Sequence, residues 1–189
     1  MKVLAFVSSP RKGGNTEMTT KEVLDIVARA GIQTDLIRLH DKDIQPCTAC
    51  EICKSQETCP IEDDLFDLYL EAKSADGIIL ASPVYFGSVT APMKAFMDRA
   101  GYIAYNNGNT FRRKVGGAVA VAGRSGGNYT NTQLLLWFMI LGMIVPGSNG
   151  WNCVFGNDIG EILQDSEGLD TLREFAQNFA WLVDKLAQG

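Results

Sequence analysis

Four cysteines fall within one short stretch, Cys47-x2-Cys50-x2-Cys53-x5-Cys59, and the last of them precedes Pro60. Two-residue gaps let a turning backbone present three sulfurs to one compact centre. They also leave amides free to hydrogen-bond inorganic sulfide. Bacterial ferredoxins use a C-x2-C-x2-C run with a later Cys-Pro, whereas structural zinc sites more often use two separated C-x2-C knuckles. The triple run points to an iron–sulfur centre, and four thiols with no obvious fifth point to one [4Fe–4S] cluster. Zinc, a redox disulfide pair and metal-free thiols are the alternatives. The remaining cysteine, Cys153, lies in an apolar run and reads as a small core residue. The only histidine, His40, sits among Asp41, Lys42 and Asp43 and reads as a solvated loop residue.

A second constellation is Ser8-Ser9-Pro10-Arg11-Lys12-Gly13-Gly14-Asn15-Thr16. Its hydroxyls and glycine-freed amides can wrap an anion, a helix N-terminus adds partial positive charge, and Arg11 adds a full one. The segment has neither the G-x-x-x-x-G-K-[ST] nor the G-x-G-x-x-G pattern. A nicotinamide dinucleotide lying across a Rossmann crevice is therefore disfavoured, and a mononucleotide is expected. The plainer alternative is a solvated turn whose Asn15 caps the helix.

Two further segments suit a flat ring. Pro83-Val84-Tyr85-Phe86-Gly87-Ser88 offers an aromatic pair, a glycine and backbone amides. Gly123-Arg124-Ser125-Gly126-Gly127-Asn128-Tyr129 allows close backbone approach to a ligand, with Arg124 placed to face a ring carbonyl. Singly, the aromatics read as packing and the glycines as tight turns. One phosphate loop and two ring loops together are a stronger signal.

Elements must bring these segments together. Strands are expected at Lys2–Val7, Thr34–Leu39, Gly77–Ser82, Lys114–Ala122 and Trp151–Phe155. The first helix is expected from about Thr16, with Val23, Ile26, Val27 and Ala30 as one apolar stripe and Gly31 just past its end. Further helices are expected at Leu65–Lys73, Ala91–Arg99, Thr130–Met143 and Leu169–Leu186, and residues 40–64 and 101–113 are expected to be irregular. A loop as long as 40–64 is usually functional or disordered. Apolar strands alternating with helices imply an α/β fold: a three-layer, doubly wound, five-stranded parallel sheet. In such sheets ligands collect at the carboxyl ends of the strands, where all the segments above are expected.

Composition bounds the function. The chain has 189 residues, enough for one ordinary domain with a real core, and 46% of them are apolar against 21% charged. The net charge is −5 with no basic block, which disfavours nucleic acid and anionic membranes as partners. The apolar run Leu134–Val145 is too short to span a bilayer and contains Gly142. The first residues lack a signal peptide's long apolar stretch, because Ser8-Ser9-Pro10-Arg11-Lys12 interrupts them. A cytoplasmic location is expected, where thiols stay reduced and clustered cysteines suggest metal or catalysis.

Taken together, the chain resembles the flavodoxin-like iron–sulfur flavoproteins within the NADPH-dependent FMN reductase superfamily. The matching pieces are Ser8-Ser9-Pro10-Arg11 with Gly14-Asn15-Thr16, the cysteine run with Asp63-Asp64, and Ala75-Asp76. Ser82 to Gly87, Lys94-x3-Asp98-Arg99 and the Gly123-to-Asn128 turn complete the match. The resemblance implies that Ser9, Arg11, Asn15 and Thr16 hold the FMN phosphate. It implies that Pro83, Val84, Tyr85, Phe86 and Gly87, with the Gly123–Gly127 turn, line the isoalloxazine. It assigns Cys47, Cys50, Cys53 and Cys59 to the cluster. It further implies homodimers or homotetramers, and NAD(P)H or ferredoxin as electron donor. The alternatives are an FMN or quinone reductase whose cysteines hold zinc or nothing, and a non-catalytic flavodoxin-like carrier.

Overall fold

Apolar and β-branched runs become strands buried on both faces, and the stretches between them become the helices that cover those faces. The computed structural model describes residues 1–188. Its sheet contains β1 (Lys2–Val7), β2 (Gln33–Arg38), β3 (Gly77–Pro83), β4 (Val115–Ala122) and β5 (Cys153–Phe155). The order is β2-β1-β3-β4-β5, and every neighbouring pair is parallel. This is the flavodoxin-like order, and it realises the doubly wound parallel sheet that the alternation of elements predicted. Chain direction across the sheet reverses at β1 and β3, the switch point where such folds place ligands.

Five helices connect and cover the strands: α1 (Asn15–Arg29), α2 (Leu65–Ser74), α3 (Ala91–Asn106), α4 (Gly127–Ile140) and α5 (Ser166–Ala187). Successive strand residues point to opposite faces. On one face Leu4, Phe6, Ile78 and Leu80 meet α2, α3 and α4 through Leu68, Phe96, Trp137 and Phe138. On the other Val3, Ala5, Val7 and Ile79 meet α1 and α5 through Val23, Val27, Phe175 and Phe179. Gly116 and Gly117 leave room for this on β4. A Cβ at Gly116 would lie 2.7 Å from the Phe138 ring, and one at Gly117 would lie 2.6 Å from Phe175.

Some boundaries differ from expectation. The helix expected to stop at Arg99 runs to Asn106, so the first part of 101–113 is helical rather than irregular. Gly101, where the irregular stretch was expected to begin, is a contact point. The Trp137 indole lies against it and donates to the Met97 carbonyl at 2.8 Å, and Ile103 and Ala104 continue the buried stripe. The fourth helix is shifted towards the N-terminus, starting at Gly127 and ending at Ile140. Strand β5 has three residues, not five. The last helix starts at Ser166 because Asp165 caps it, accepting from the Gly168 amide at 3.0 Å. Gly31 does adopt the left-handed conformation (φ 82°) that ends α1. No helix among the described residues is long and apolar enough to cross a membrane.

Candidate functional site

The loops after β1, β3, β4 and β5 line one open cleft. Its lining comprises Ser9, Arg11, Asn15 and Thr16 from the first loop, Pro83, Val84 and Tyr85 from the second, and Val121 and Gly123 from β4 and its turn. Gly156 and Asn157, which follow β5, form a further wall. Neither was singled out from the sequence. The signal was there, since Gly-Asn-Asp directly follows an expected strand.

The first loop curls tightly. Gly13 has φ 66°, and a Cβ on Gly14 would lie 2.7 Å from Arg11 Cβ, so both glycines shape the turn. The Arg11 amide donates to Ser9 Oγ at 3.2 Å, and the Gly14 amide donates to the Arg11 carbonyl at 3.1 Å. Gly14 itself lies outside the cleft wall. The amides of Asn15 and Thr16, in the first turn of α1, have no partner among the described residues. Free amides at a helix N-terminus are donors suited to an anion.

Two arginine and asparagine side chains are used differently from the simplest expectation. Arg11 Nη1 donates to the Asn157 carbonyl at 2.8 Å and so bridges the first and last walls. Asn15 is not the helix cap, since Gly14 occupies that position. Its Nδ2 donates to the carbonyls of Gly156 (3.1 Å) and Asp158 (2.8 Å), and its Oδ1 accepts from the Gly160 amide at 2.7 Å. That side chain is committed to the post-β5 loop, and its backbone amide is left without a partner among the described residues.

The second loop is a tight turn in which Tyr85 and Ser88 exchange backbone hydrogen bonds at 2.9 and 3.1 Å. Tyr85 is half exposed at the rim, and Phe86 is fully exposed in a left-handed conformation (φ 52°) followed by Gly87 (φ 74°). The second and third loops interlock at Gly126 (φ 83°), where a Cβ would lie 3.0 Å from Val84 Cγ1 and 3.1 Å from Gly87 Cα. Gly127 is buried at the start of α4 against Cys153. Arg124 is exposed beside the turn. Phe86, Gly87, Arg124, Gly126 and Gly127 therefore flank the cleft rather than line it.

The cysteine stretch leaves β2 and rejoins the fold at α2. Cys47 and Cys50 are exposed, while Cys53 and Cys59 are half-buried against the core. Ala49 (φ 54°) and Glu51 (φ 63°), on either side of Cys50, hold left-handed conformations that non-glycine residues seldom adopt. Three polar fasteners tie the stretch to the helices. Asn107 Nδ2 donates to the Cys53 carbonyl at 2.9 Å. Glu57 accepts from the Tyr69 hydroxyl at 2.6 Å and pairs with Lys73. Arg99 pairs with Asp63 and donates to the Gln45 carbonyl at 3.0 Å and to Cys59 Sγ at 3.1 Å.

Burial raises the Cys53 thiol, and Cys50, Cys59 and Cys47 push it the same way. Among the described residues no three His, Cys, Asp or Glu side chains converge into a group able to hold a metal ion. The donor chemistry fits an iron–sulfur cluster: four thiols on one anchored loop, two of them already accepting hydrogen bonds. These come from the Ala49 amide to Cys47 (3.4 Å) and from Arg99 to Cys59. Hydrogen bonds to sulfur are how proteins orient and tune such ligands. Cys153 is buried, as expected, and burial pushes its thiol up to about 11. His40 is exposed.

The fold is shared with flavodoxin-like proteins. RosB, solved with a bound intermediate, superposes with TM-score 0.79 at 17% identity, covering 100% of this chain and 81% of its own. A flavodoxin from the domain Archaea gives 0.65 at 17% identity, covering 97% and 99%. Residues 1–158 match the NADPH-dependent FMN reductase model, and the chain belongs to that family. Within it the chain groups with the iron–sulfur flavoproteins. One from Methanocaldococcus jannaschii is 42% identical over 97% of both chains, and one from Methanosarcina thermophila is 36% identical over 100% of this chain and 98% of its own. Family membership places the chain among flavin-dependent oxidoreductases.

Proposed function

We propose that the cleft binds FMN, that Cys47, Cys50, Cys53 and Cys59 hold a [4Fe–4S] cluster, and that the protein links a two-electron donor to a one-electron partner. The observation that carries the reading is the meeting of four strand-end loops around free helix-terminal amides at the β1/β3 switch point. The Asn15 and Thr16 amides, with Ser9 and Arg11, hold the phosphate. Pro83 to Gly87 and the Gly123–Gly127 turn border the ring. Arg99 and Asp63 orient Cys59 from beneath. FMN supplies electron exchange singly or in pairs, and a cluster passes electrons one at a time. The family description favours NAD(P)H as donor, with ferredoxin as the alternative single-electron partner.

The absence of a general-base histidine near the cleft agrees with a cofactor carrying the chemistry. The exposed apolar residues Tyr129, Leu136, Met139 and Ile140 on α4 support a homodimer or homotetramer. A cytoplasmic location suits the free thiols.

The test is anaerobic purification followed by a visible spectrum with iron and zinc assays. Flavin bands over broad brown absorbance, with about four irons per chain, are expected. A colourless chain that takes up no FMN overturns the flavin half. Bound zinc, or flavin alone, overturns the cluster half and leaves an FMN or quinone reductase. NAD(P)H oxidation then separates an enzyme from a carrier.

A further inference from the structure

A buried carboxylate sits beneath the loop that would hold the phosphate. Glu17 is the third residue of α1, and its Oε2 accepts from the Gly13 amide at 2.9 Å. This reach-back satisfies an N-terminal donor and helps form the turn. It also places a negative charge, 5% exposed, in the same first turn as the Asn15 and Thr16 amides. Burial alone would raise its pKa. Hydrogen bonds from Lys21, the Gly13 amide and Arg38 outweigh that and hold it at about 2, so Glu17 is ionised at any working pH. An anionic phosphate and an uncompensated carboxylate would repel each other in this poorly solvated corner.

Compensation comes from the end of β2. Arg38 Nη1 donates to Glu17 Oε2 at 2.5 Å, and its side chain is 11% exposed. Its Nε donates to Asp41 at 2.9 Å. Lys21 also meets Glu17, at 2.7 Å, but its side chain is 58% exposed and solvent screens its charge. The four groups together are neutral. Without Arg38 the set carries one net negative charge, and Glu17 loses its only buried cation.

We propose that Arg38 is the charge-compensating, positioning residue of the phosphate end of the site. It neutralises Glu17, so that Glu17 can shape the Gly13–Gly14 turn without repelling the nucleotide. The proposal rests on the FMN reading above. It makes preference for a phosphorylated flavin depend on a residue that does not line the cleft.

The test compares FMN and riboflavin binding to the full chain stripped of flavin, by fluorescence quenching. Arg38→Gln is expected to weaken FMN roughly tenfold, as one unit charge does across about 12 Å at an effective dielectric of about 20, and to leave riboflavin unchanged. Glu17→Gln in that background is expected to restore FMN binding. Equal weakening of both flavins, or a double variant as weak as the single, makes Arg38 a residue of the fold alone and overturns the proposal. If Arg38→Gln does not fold, Glu17→Gln alone decides: tighter FMN with unchanged riboflavin supports it, and unchanged FMN overturns it. A wild-type chain that binds FMN no better than riboflavin sinks the phosphate-site reading itself. Normal wild-type preference with an indifferent Arg38→Gln sinks only the role of Arg38.

Discussion

The Arg99 guanidinium closes on the Asp63 carboxylate with two hydrogen bonds, and neither side chain is more than 1% exposed. Asp63 also accepts from the amides of Gln45 (2.8 Å) and Leu65 (3.1 Å). The pair thus fastens both ends of the cysteine stretch to α3 from below. An ion pair so deeply buried is costly to leave half-made.

Arg99→Gln strands the Asp63 charge in the interior. A loss of about 3–5 kcal/mol is expected, read from denaturant midpoints. Residues 45–63 should become sensitive to limited proteolysis in the same variant. Asn107→Ala removes one bond to the Cys53 carbonyl and should lose only about 1 kcal/mol. Equal effects of the two changes would deny Arg99 its anchoring role.

Acid should weaken the fold through Glu17 and Asp63. Both are held below their ordinary carboxylate values, against the opposing effect of burial, by hydrogen bonds and by Lys21, Arg38 or Arg99. The unfolded chain therefore binds more protons than the native one as the pH falls. Their stabilisation is complete above the ordinary carboxylate range. For Glu17 it is lost between 4.5 and about 2. The gap between the urea midpoints of wild type and Glu17→Gln should narrow across that window. Parallel midpoints would refute this account.

Gly126→Ala tests the interlock of the second and third loops. Its φ of 83° strains any side chain, and Val84 and Gly87 already occupy the space. A destabilisation of about 1–2 kcal/mol is expected from the conformation alone. Flavin affinity should fall with it, because Val84 lines the cleft. Titration with FMN beside a thermal melt reads both effects.

Cysteine substitutions should sort by position. Cys59→Ser is expected to lower iron per chain while leaving bound flavin intact. Cys153→Ser should leave iron unchanged, since Cys153 sits at the β5–α4 contact, away from the other four. Iron loss from Cys153→Ser would redraw the ligand set.

Charges on α4 should split an oligomer. Met139→Glu with Ile140→Glu alters two residues that are 67% and 65% exposed, so a lone chain should tolerate them. Sedimentation of the variant as a smaller species than wild type is expected. An unchanged assembly would place the interface elsewhere.

Much of this was legible because it depends on local pattern. Strand runs such as Gly77–Ser82 announce themselves by continuous apolarity, and the strand-end rule then places the three named loops around one cleft. What was hidden depends on distant partners. The stretch from residue 101 reads as irregular until Trp137, thirty-six residues beyond Gly101, is seen resting on that glycine. Asn15 looks like a cap until Gly156, Asp158 and Gly160 claim its side chain. Glu17 and Arg38 form a pair only because β2 lies beside β1, which no spacing in the chain reveals. The cysteine spacing suggested a cluster directly, but its anchors on α2 and α3 needed the packed helices.

The Asn15 side chain also has a bearing on biosynthesis. Its three partners lie between 141 and 145 residues downstream. During translation the nucleotide loop leaves the ribosome well before its far wall is made. A growing polypeptide that ends before Gly160 holds an unfinished pocket, so tight cofactor capture must await synthesis of that far wall.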